Sequence, residues 1–285
     1  MSARRRIALV GDGAKLEVRA AAAQAAEWLH TRAEIVGPDL DGSLDLAALD
    51  CDLVLSLGGD GSLLRTARRM GRRQKPVAGI NYGRLGFLAD LSPEDWRVDL
   101  ESILAAEIPT TPRMLLEARF VRASGAVEDL IALNDVVVSQ ASVQRLIEVA
   151  LSIAGEEVAT YRGDGLIVAT PVGSTAHSLS AGGPIVHPEL RALVITPICP
   201  HLLTNRPLVI GSTSVIGLRH ATPAVEAALS IDGQETRPFG PGDSVQVTAA
   251  PFDLQLVLPP DWTYYRILRS KLGWGVSPQQ QRTLS

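Results

Sequence analysis

Leu53-Val54-Leu55-Ser56-Leu57-Gly58-Gly59-Asp60-Gly61-Ser62-Leu63-Leu64 decides the reading of the first third of the chain. An apolar run of strand length gives way to a glycine turn, and the turn to residues 63–70, whose apolar positions follow helical spacing. Three glycines let a ligand approach the main chain without Cβ obstruction and with positive φ available. A turn leading into a helix offers N–H groups and the positive end of the helix dipole, which suits phosphate. Asp60 is the odd element. A carboxylate in a phosphate cradle repels the ligand, so it needs a purpose such as holding a metal or accepting a proton. Cradle and carboxylate together point to phosphoryl-transfer chemistry, and without a Walker lysine, since no G-x-x-x-x-G-K-[ST] occurs.

Outward from this stretch, strand and helix alternate. Residues 6–10 read as a strand ending in Gly11-Asp12-Gly13, 20–31 as an alanine-rich helix, 51–57 as a buried strand, 61–72 as a helix and 76–80 as a strand. A further helix spans 93–106, before Pro109 and Pro112 break the pattern. Continuously apolar strands separated by helices imply a parallel sheet covered on both faces. Ligands of such sheets bind beyond the carboxyl ends of the strands, where loops 11–13, 58–61 and 81–86 should gather. After Arg113 the texture becomes strand after strand: 114–122, 126–133, 136–138, 146–153, 165–169, 208–210, 214–218, 227–231 and 244–249. The expectation is an α/β domain with a parallel sheet over 1–112, completed by 256–285, and a β-rich, sandwich-like domain over 113–255. A helix over 262–272 packs back onto the first domain, and the polar stretch 277–285 frays.

Composition narrows the function. The 285 residues are 46% apolar and 20% charged, as in an ordinary globular protein. A net charge of −4 argues against a general binder of nucleic acid or anionic membranes. The basic start, Arg4-Arg5-Arg6, precedes an apolar run too short for a secretory signal, and no run approaches a membrane span. Cys51 and Cys199 are far apart among apolar neighbours and are expected as reduced core thiols. The expected location is the cytoplasm. His30, His187, His201 and His220 have no carboxylate or cysteine partner at ligand spacing, which argues against a zinc site.

Further motifs carry chemistry. Asn81-Tyr82-Gly83-Arg84-Leu85-Gly86-Phe87-Leu88 follows a strand directly. Asn134-Asp135 precedes Val136-Val137-Val138 and can accept from ribose hydroxyls or an adenine amino group. The densest segment is 161–184, with Arg162-Gly163-Asp164-Gly165, the hydroxyl-rich Gly173-Ser174-Thr175-Ala176-His177-Ser178-Leu179-Ser180, and Gly182-Gly183-Pro184. Small and hydroxyl side chains there permit close approach of a polar ligand such as a dinucleotide. In the basic run after the glycine turn, Arg69, Arg72 and Arg73 read as a solvated helix face, while Arg65 is the candidate for phosphate. Asp12 either lines the donor site or simply forms its turn.

Taken in order from Ile7 to Trp262, these segments resemble bacterial NAD kinases. The resemblance extends to Pro197-Ile198-Cys199-Pro200-His201, Asn205-Arg206-Pro207-Leu208 and Asp232-Gly233-Gln234. It implies transfer of a terminal phosphoryl group from ATP or polyphosphate to the 2′-hydroxyl of the adenosine ribose of NAD, with Asp60 as general base and Mg²⁺ bridging the donor phosphates. It places Asp60, Gly61, Phe87, Asn134, Asp135, Arg162, Asp164, Thr175, Ala176, His177, Ser180 and Gln234 around NAD. It places Gly58, Gly59, Gly61 and Arg65 around the phosphate donor, and leaves the metal's protein ligands unassigned. It also suggests a homodimer or homotetramer. The chain departs from the family pattern at Asp135, usually Glu, at His177, commonly Tyr, and at Ser62, more usually Thr. Two rival readings are a lipid kinase sharing the Gly-Gly-Asp-Gly turn, which leaves Asn134 and 162–184 unexplained, and a non-catalytic dinucleotide sensor, which leaves Asp60 unexplained.

Overall fold

The computed structural model describes residues 4–83, 86–88, 91–105, 107–141, 146–202, 204–222 and 225–273. Arg84 and Leu85 of the 81–88 motif lie outside these described residues, as does the 277–285 tail expected to fray. The described residues fall into two compact units, one drawn from Met1–Thr111 and Gln255–Ser285, the other from Pro112–Leu254.

In the first unit, β1 (Arg6–Gly11), α1 (Leu16–Leu29), β2 (Glu34–Asp39), β3 (Leu53–Leu57), α2 (Asp60–Met70), β4 (Pro76–Ile80) and α3 (Trp96–Ala105) alternate. The strands pair in parallel in the order β2-β1-β3-β4. β1 and β3 run side by side without a break from Ile7↔Leu53 to Gly11↔Leu57. Both faces of the sheet are buried, which explains why β3 is apolar throughout. Helix α1 buries Val18, Ala21, Ala22, Ala25 and Leu29, an i, i+3, i+4, i+7 stripe. Those residues pack with Ile7, Leu9, Leu55 and Leu57 on one face of the sheet, where Trp28 meets Trp96 of α3 edge to face at 5.4 Å. Helix α2 takes the opposite face: the Thr66 and Ser56 hydroxyls lie 3.4 Å apart. It ends at Gly71, whose φ of +57° stops the helix.

The second unit contains β5 (Thr111–Val121), β6 (Val127–Ala132), β7 (Asp135–Gln140), β8 (Ile147–Ile153), β9 (Glu156–Gly163), β10 (Gly165–Ala169), a single helical turn (Gly173–Thr175), α4 (His177–Ser180), β11 (Ala192–Ile198), β12 (Leu208–Gly211), β13 (Ile216–His220), β14 (Ala227–Ile231), β15 (Glu235–Phe239) and most of β16 (Ser244–Leu256). One antiparallel sheet runs β12-β11-β10-β7-β14-β15. Against it lie β16-β13-β8-β9, with β5 paired to β16 and β6. The sandwich core joins Phe120, Leu116, Val149 and Leu218 from one sheet to Val136, Val138, Leu166, Ile195 and Leu229 from the other. Val137, Ile167 and Val194 point to the outer face and are covered by Val186. The run Val136-Val137-Val138 is therefore buried on both faces. At its far end β16 returns to the first unit, where Gln255 and Leu256 pair in parallel with Pro76 and Val77 of β4. It is followed by α5 (Tyr264–Leu272), capped by Thr263 and closed by Gly273 in the left-handed conformation, φ +64°. Its Tyr264, Ile267 and Leu268 are buried.

Four strands exceed the sequence expectation: β2, β9, β11 and β15. The cysteine expectation also needs correction. Cys51 is half-buried and Cys199 is exposed. Cys199 takes a left-handed φ of +43° directly after β11, so the thiol leaves the core that the preceding strand residues fill.

His220 is 3% exposed and meets Phe239 edge to face. Burial lowers its pKa, opposed in part by Asp243. The native state then resists protonation while the unfolded state takes a proton below about pH 6.5, so stability is lost as pH falls through that value. Urea midpoints at pH 7.5 and pH 5.5 test this: His220→Leu should show a smaller fall between the two than the unaltered chain.

Candidate active site

Asp60 is the first residue of α2, with Gly59 as its extended N-cap. Its carboxylate accepts the Phe87 N–H at 2.7 Å and the Leu88 N–H at 3.1 Å. The approach is possible because residue 86 is glycine: a Cβ there would overlap Asp60 Oδ1. Asn81, 6% exposed, braces the same loop by accepting the Gly83 N–H at 2.9 Å. Its backbone N–H donates to Leu91 O at 2.9 Å. The Gly58 N–H bonds Ile80 O at 3.0 Å, which ties the glycine turn after β3 to the end of β4. The structure thus brings together Gly58, Gly59, Asp60, Gly61 and Phe87. It leaves Asp60 half-buried and Gly61 exposed.

Sheet order β2-β1-β3 reverses the direction of winding between β1 and β3, and a crevice at such a switch point is the expected ligand position. A cleft of about 670 Å³ is lined there by Gly11, Asp12, Gly13, Asp41, Arg65 and Arg69 among others. Arg65 is exposed, one helical turn beyond Gly61. Arg69 is not a solvated residue as expected: it pairs with the fully buried Asp39 and donates to Leu44 O. Asp12 caps its own turn, accepting the Ala14 N–H at 3.1 Å.

In the second unit, Asn134 and Asp135 sit where β6 turns into β7. Thr170 locks this corner: its N–H donates to Asn134 O at 2.9 Å and its hydroxyl to Leu133 O at 2.6 Å. Gly173 packs so closely that a Cβ would overlap Asn134 O, which brings Thr175 and Ala176 to the same corner. The hydroxyls of 161–184 divide their work. Ser174 and Ser178 are buried and bind Pro171 O at 2.6 Å and the Thr196 hydroxyl at 2.8 Å, while Ser180 and His177 are exposed. Asp164 and Arg162 belong to the opposite end of β10. Ala169 pairs with Asp135 but Gly165 pairs with Ser139, a separation of roughly 13 Å at about 3.3 Å per strand residue. At that far end Asp164 accepts the Cys199 thiol proton in a hydrogen bond that, with its charge, pushes the thiol pKa up. Gln234 is exposed in the turn after β14.

Residue type and spacing alone suggest no role for Asp232 of the Asp232-Gly233-Gln234 segment. It has one. Asp232 takes φ +52°, and its carboxylate accepts the N–H groups of Leu133, Asn134 and Asp135 at 3.1, 2.7 and 3.2 Å. A non-glycine residue before a glycine at the end of a strand was the available signal. Burial, and secondly the charge of Asp232, push the Asp135 carboxyl up to about 7.

What these two sites define is a nucleotide-dependent phosphotransferase built on an α/β unit and a β-sandwich unit. Family models agree: residues 15–108 match the ATP-NAD kinase N-terminal domain and residues 133–258 the ATP-NAD kinase C-terminal domain. The chain belongs to the NAD kinase family. It is 40% identical to an NAD kinase of Rhodopirellula baltica over 94% of this chain and 86% of that one. It is 44% identical to an NAD kinase of Ectopseudomonas mendocina over 79% and 77%. Among solved structures it is similar to an NAD kinase from Archaeoglobus fulgidus in complex with ATP, with TM-score 0.78 and 28% identity over 94% of this chain and 98% of that one. It shares its fold with yeast NADH kinase complexed with NADH, with TM-score 0.88 and 23% identity over 97% and 89%.

Two glycine substitutions separate function from stability. Gly86→Ala displaces Asp60 at the surface end of α2, so activity should fall at least ~10²-fold, the scale of a lost general base, with thermal unfolding near that of the parent. Gly173→Ala forces apart two buried backbone segments and should cost roughly 1–3 kcal/mol of stability. Equal losses of stability in the two variants would show that the close approach at Gly86 has no separate functional meaning.

Proposed function

We propose that the chain makes NADP by transferring the terminal phosphoryl group of ATP to the 2′-hydroxyl of the adenosine ribose of NAD, with Asp60 as general base. The observation that carries this is Asp60 itself, held at the first residue of α2 by the backbone N–H groups of Phe87 and Leu88. Those bonds fix the carboxylate's direction, while the glycine turn presents the N-terminal end of α2 and its dipole to the donor phosphates. A secondary alcohol is a poor nucleophile. Removing its proton as it attacks phosphorus is worth ~10²–10⁴-fold, and the remainder of the catalysis is alignment and charge neutralisation. In the second unit Asn134 and Asp135 read the adenosine, and Thr175, Ala176, His177 and Ser180 supply further polar contacts to NAD.

Among the described residues no three acidic, histidine or cysteine side chains converge to hold a cation. Mg²⁺ would suit the reaction, because it usually keeps several waters and is bound largely through substrate phosphates. The glycine turn 58–61 would hold the donor phosphates that carry the ion. When bound, the ion supplies neutralisation of the charge on the terminal phosphoryl group. We place the working protein in the cytoplasm as a homodimer or homotetramer. Among the described residues no helix is long and apolar enough to cross a membrane.

The test is NADP formation with ATP and with polyphosphate, each with and without Mg²⁺. ATP with Mg²⁺ should support turnover, and no product with any donor would sink the reading in favour of a dinucleotide sensor. In the same assay Asp60→Asn should lower kcat by at least ~10²-fold and leave the KM for NAD within a few-fold, because loss of a general base is a transition-state effect. A matching rise in KM would make Asp60 a binding residue instead.

A further inference from the structure

Asp135 and Asp232 are two carboxyl groups buried against each other, 2% and 7% exposed. They are joined through their backbones as well: the Asp232 N–H donates to Asp135 O at 2.9 Å, and the Asp135 N–H to Asp232 Oδ1 at 3.2 Å. Two carboxylates in such a place do not both ionise cheaply, so one retains a proton near neutrality. The hydrogen bonds decide which. Asp232 accepts from three successive N–H groups, Leu133 reaching both of its oxygens at 3.1 and 3.2 Å. Donors of that kind favour an ionised acceptor. Among the described residues none donates to the Asp135 carboxyl.

The surroundings of Asp135 reinforce the assignment. Strand alternation sets it on the face of Val137, the face covered by the segment that follows β10. Residues 170–176 of that segment carry no ionisable side chain, its one titratable group before residue 184, His177, is exposed, and from β10 the paired residue is Ala169. From β14 come Ile231, then Asp232. Asp232 is therefore the charge that Asp135 meets.

We propose that Asp232 is a positioning residue of the NAD site: by holding the 133–135 corner and keeping its own negative charge, it maintains Asp135 as a neutral carboxylic acid that donates a hydrogen bond to the nucleotide. NAD carries two phosphates, and a neutral acid can meet its adenosine half without adding repulsion. An O–H donor also reads a ribose oxygen or a ring nitrogen that a carboxylate would reject. The direction of the Asp135 shift, up to about 7, agrees with this arrangement. The proposal rests on the NAD reading above.

NAD affinity of the full chain, measured by titration calorimetry without donor between pH 6 and 8.5, tests it. The unaltered chain should lose affinity above about pH 7, approaching tenfold per pH unit as Asp135 ionises. In Asp232→Asn the onset should move at least about one pH unit lower, because the opposing charge is gone. Asp135→Asn should abolish the inflection, alone or combined with Asp232→Asn. An inflection that survives Asp135→Asn overturns the proposal. So does a flat profile in the unaltered chain, or an Asp232→Asn profile weakened uniformly with its onset unmoved, which is what a purely structural role would give. Should Asp232→Asn fail to fold, the Asp135→Asn arm still decides. If the unaltered chain binds no NAD at any pH, the NAD reading itself falls, an outcome distinct from all of these.

Discussion

Carboxylates satisfied by consecutive backbone N–H groups hold both functional corners of this protein. Asp60 takes the N–H groups of Phe87 and Leu88, and Asp232 those of Leu133, Asn134 and Asp135. A charged acceptor with neutral backbone donors is among the stronger hydrogen-bond types, and it fixes main chain rather than another flexible side chain. Each arrangement also demands something of its neighbours. The loop that reaches Asp60 must have no Cβ at Gly86, and the corner beneath Asp232 must admit the main chain of Gly173. The groups proposed for catalysis and recognition are thereby set by backbone geometry, and preorganisation of that kind lowers the reorganisation a reaction would otherwise require.

The scaffolds behind these corners are stiff for different reasons. In the first unit a parallel sheet is buried under helices on both faces, so β3 delivers the glycine turn from a fixed base. In the second, β7 is covered by the opposing sheet on one side and by Val186 on the other. The buried hydroxyls of Ser174 and Ser178 then pin the 170–183 segment that packs against it. The exposed members of that segment, His177 and Ser180, are left to face solvent or ligand.

Much of this was legible in the sequence because the decisive residues obey local rules. Apolar runs closed by glycines marked β1, β3 and β4, and the change of texture after Arg113 marked a β-rich unit. The strands that escaped notice break those rules for physical reasons. β2 contains Gly37 and Pro38, and β15 contains Pro238, residues an edge strand tolerates and a propensity reading takes for turns. β9, also at an edge, begins with two glutamates and is largely exposed. β11 is interior, yet Pro197 and Pro200 disguise its end. Within the candidate site, residue type sufficed to select Asp60, Asn134 and Asp135. The role of Asp232 was hidden because it acts across 97 to 99 residues of sequence on backbone atoms, which leave no trace in side-chain pattern. Arg69 was misread for a similar reason: its partner, Asp39, belongs to a strand that the sequence did not reveal.

β16 has a consequence of another kind. Its first residues are a strand of the second unit, where Val247 pairs with Ile216, and its last two are a strand of the first, where Leu256 pairs with Val77. The first unit is consequently discontinuous in the gene. A stop codon at residue 254 would spare the sandwich but deprive the α/β sheet of its fifth strand and of α5. The two units are thus not interchangeable modules, and a chain emerging from the ribosome cannot finish its first unit until it has made its second.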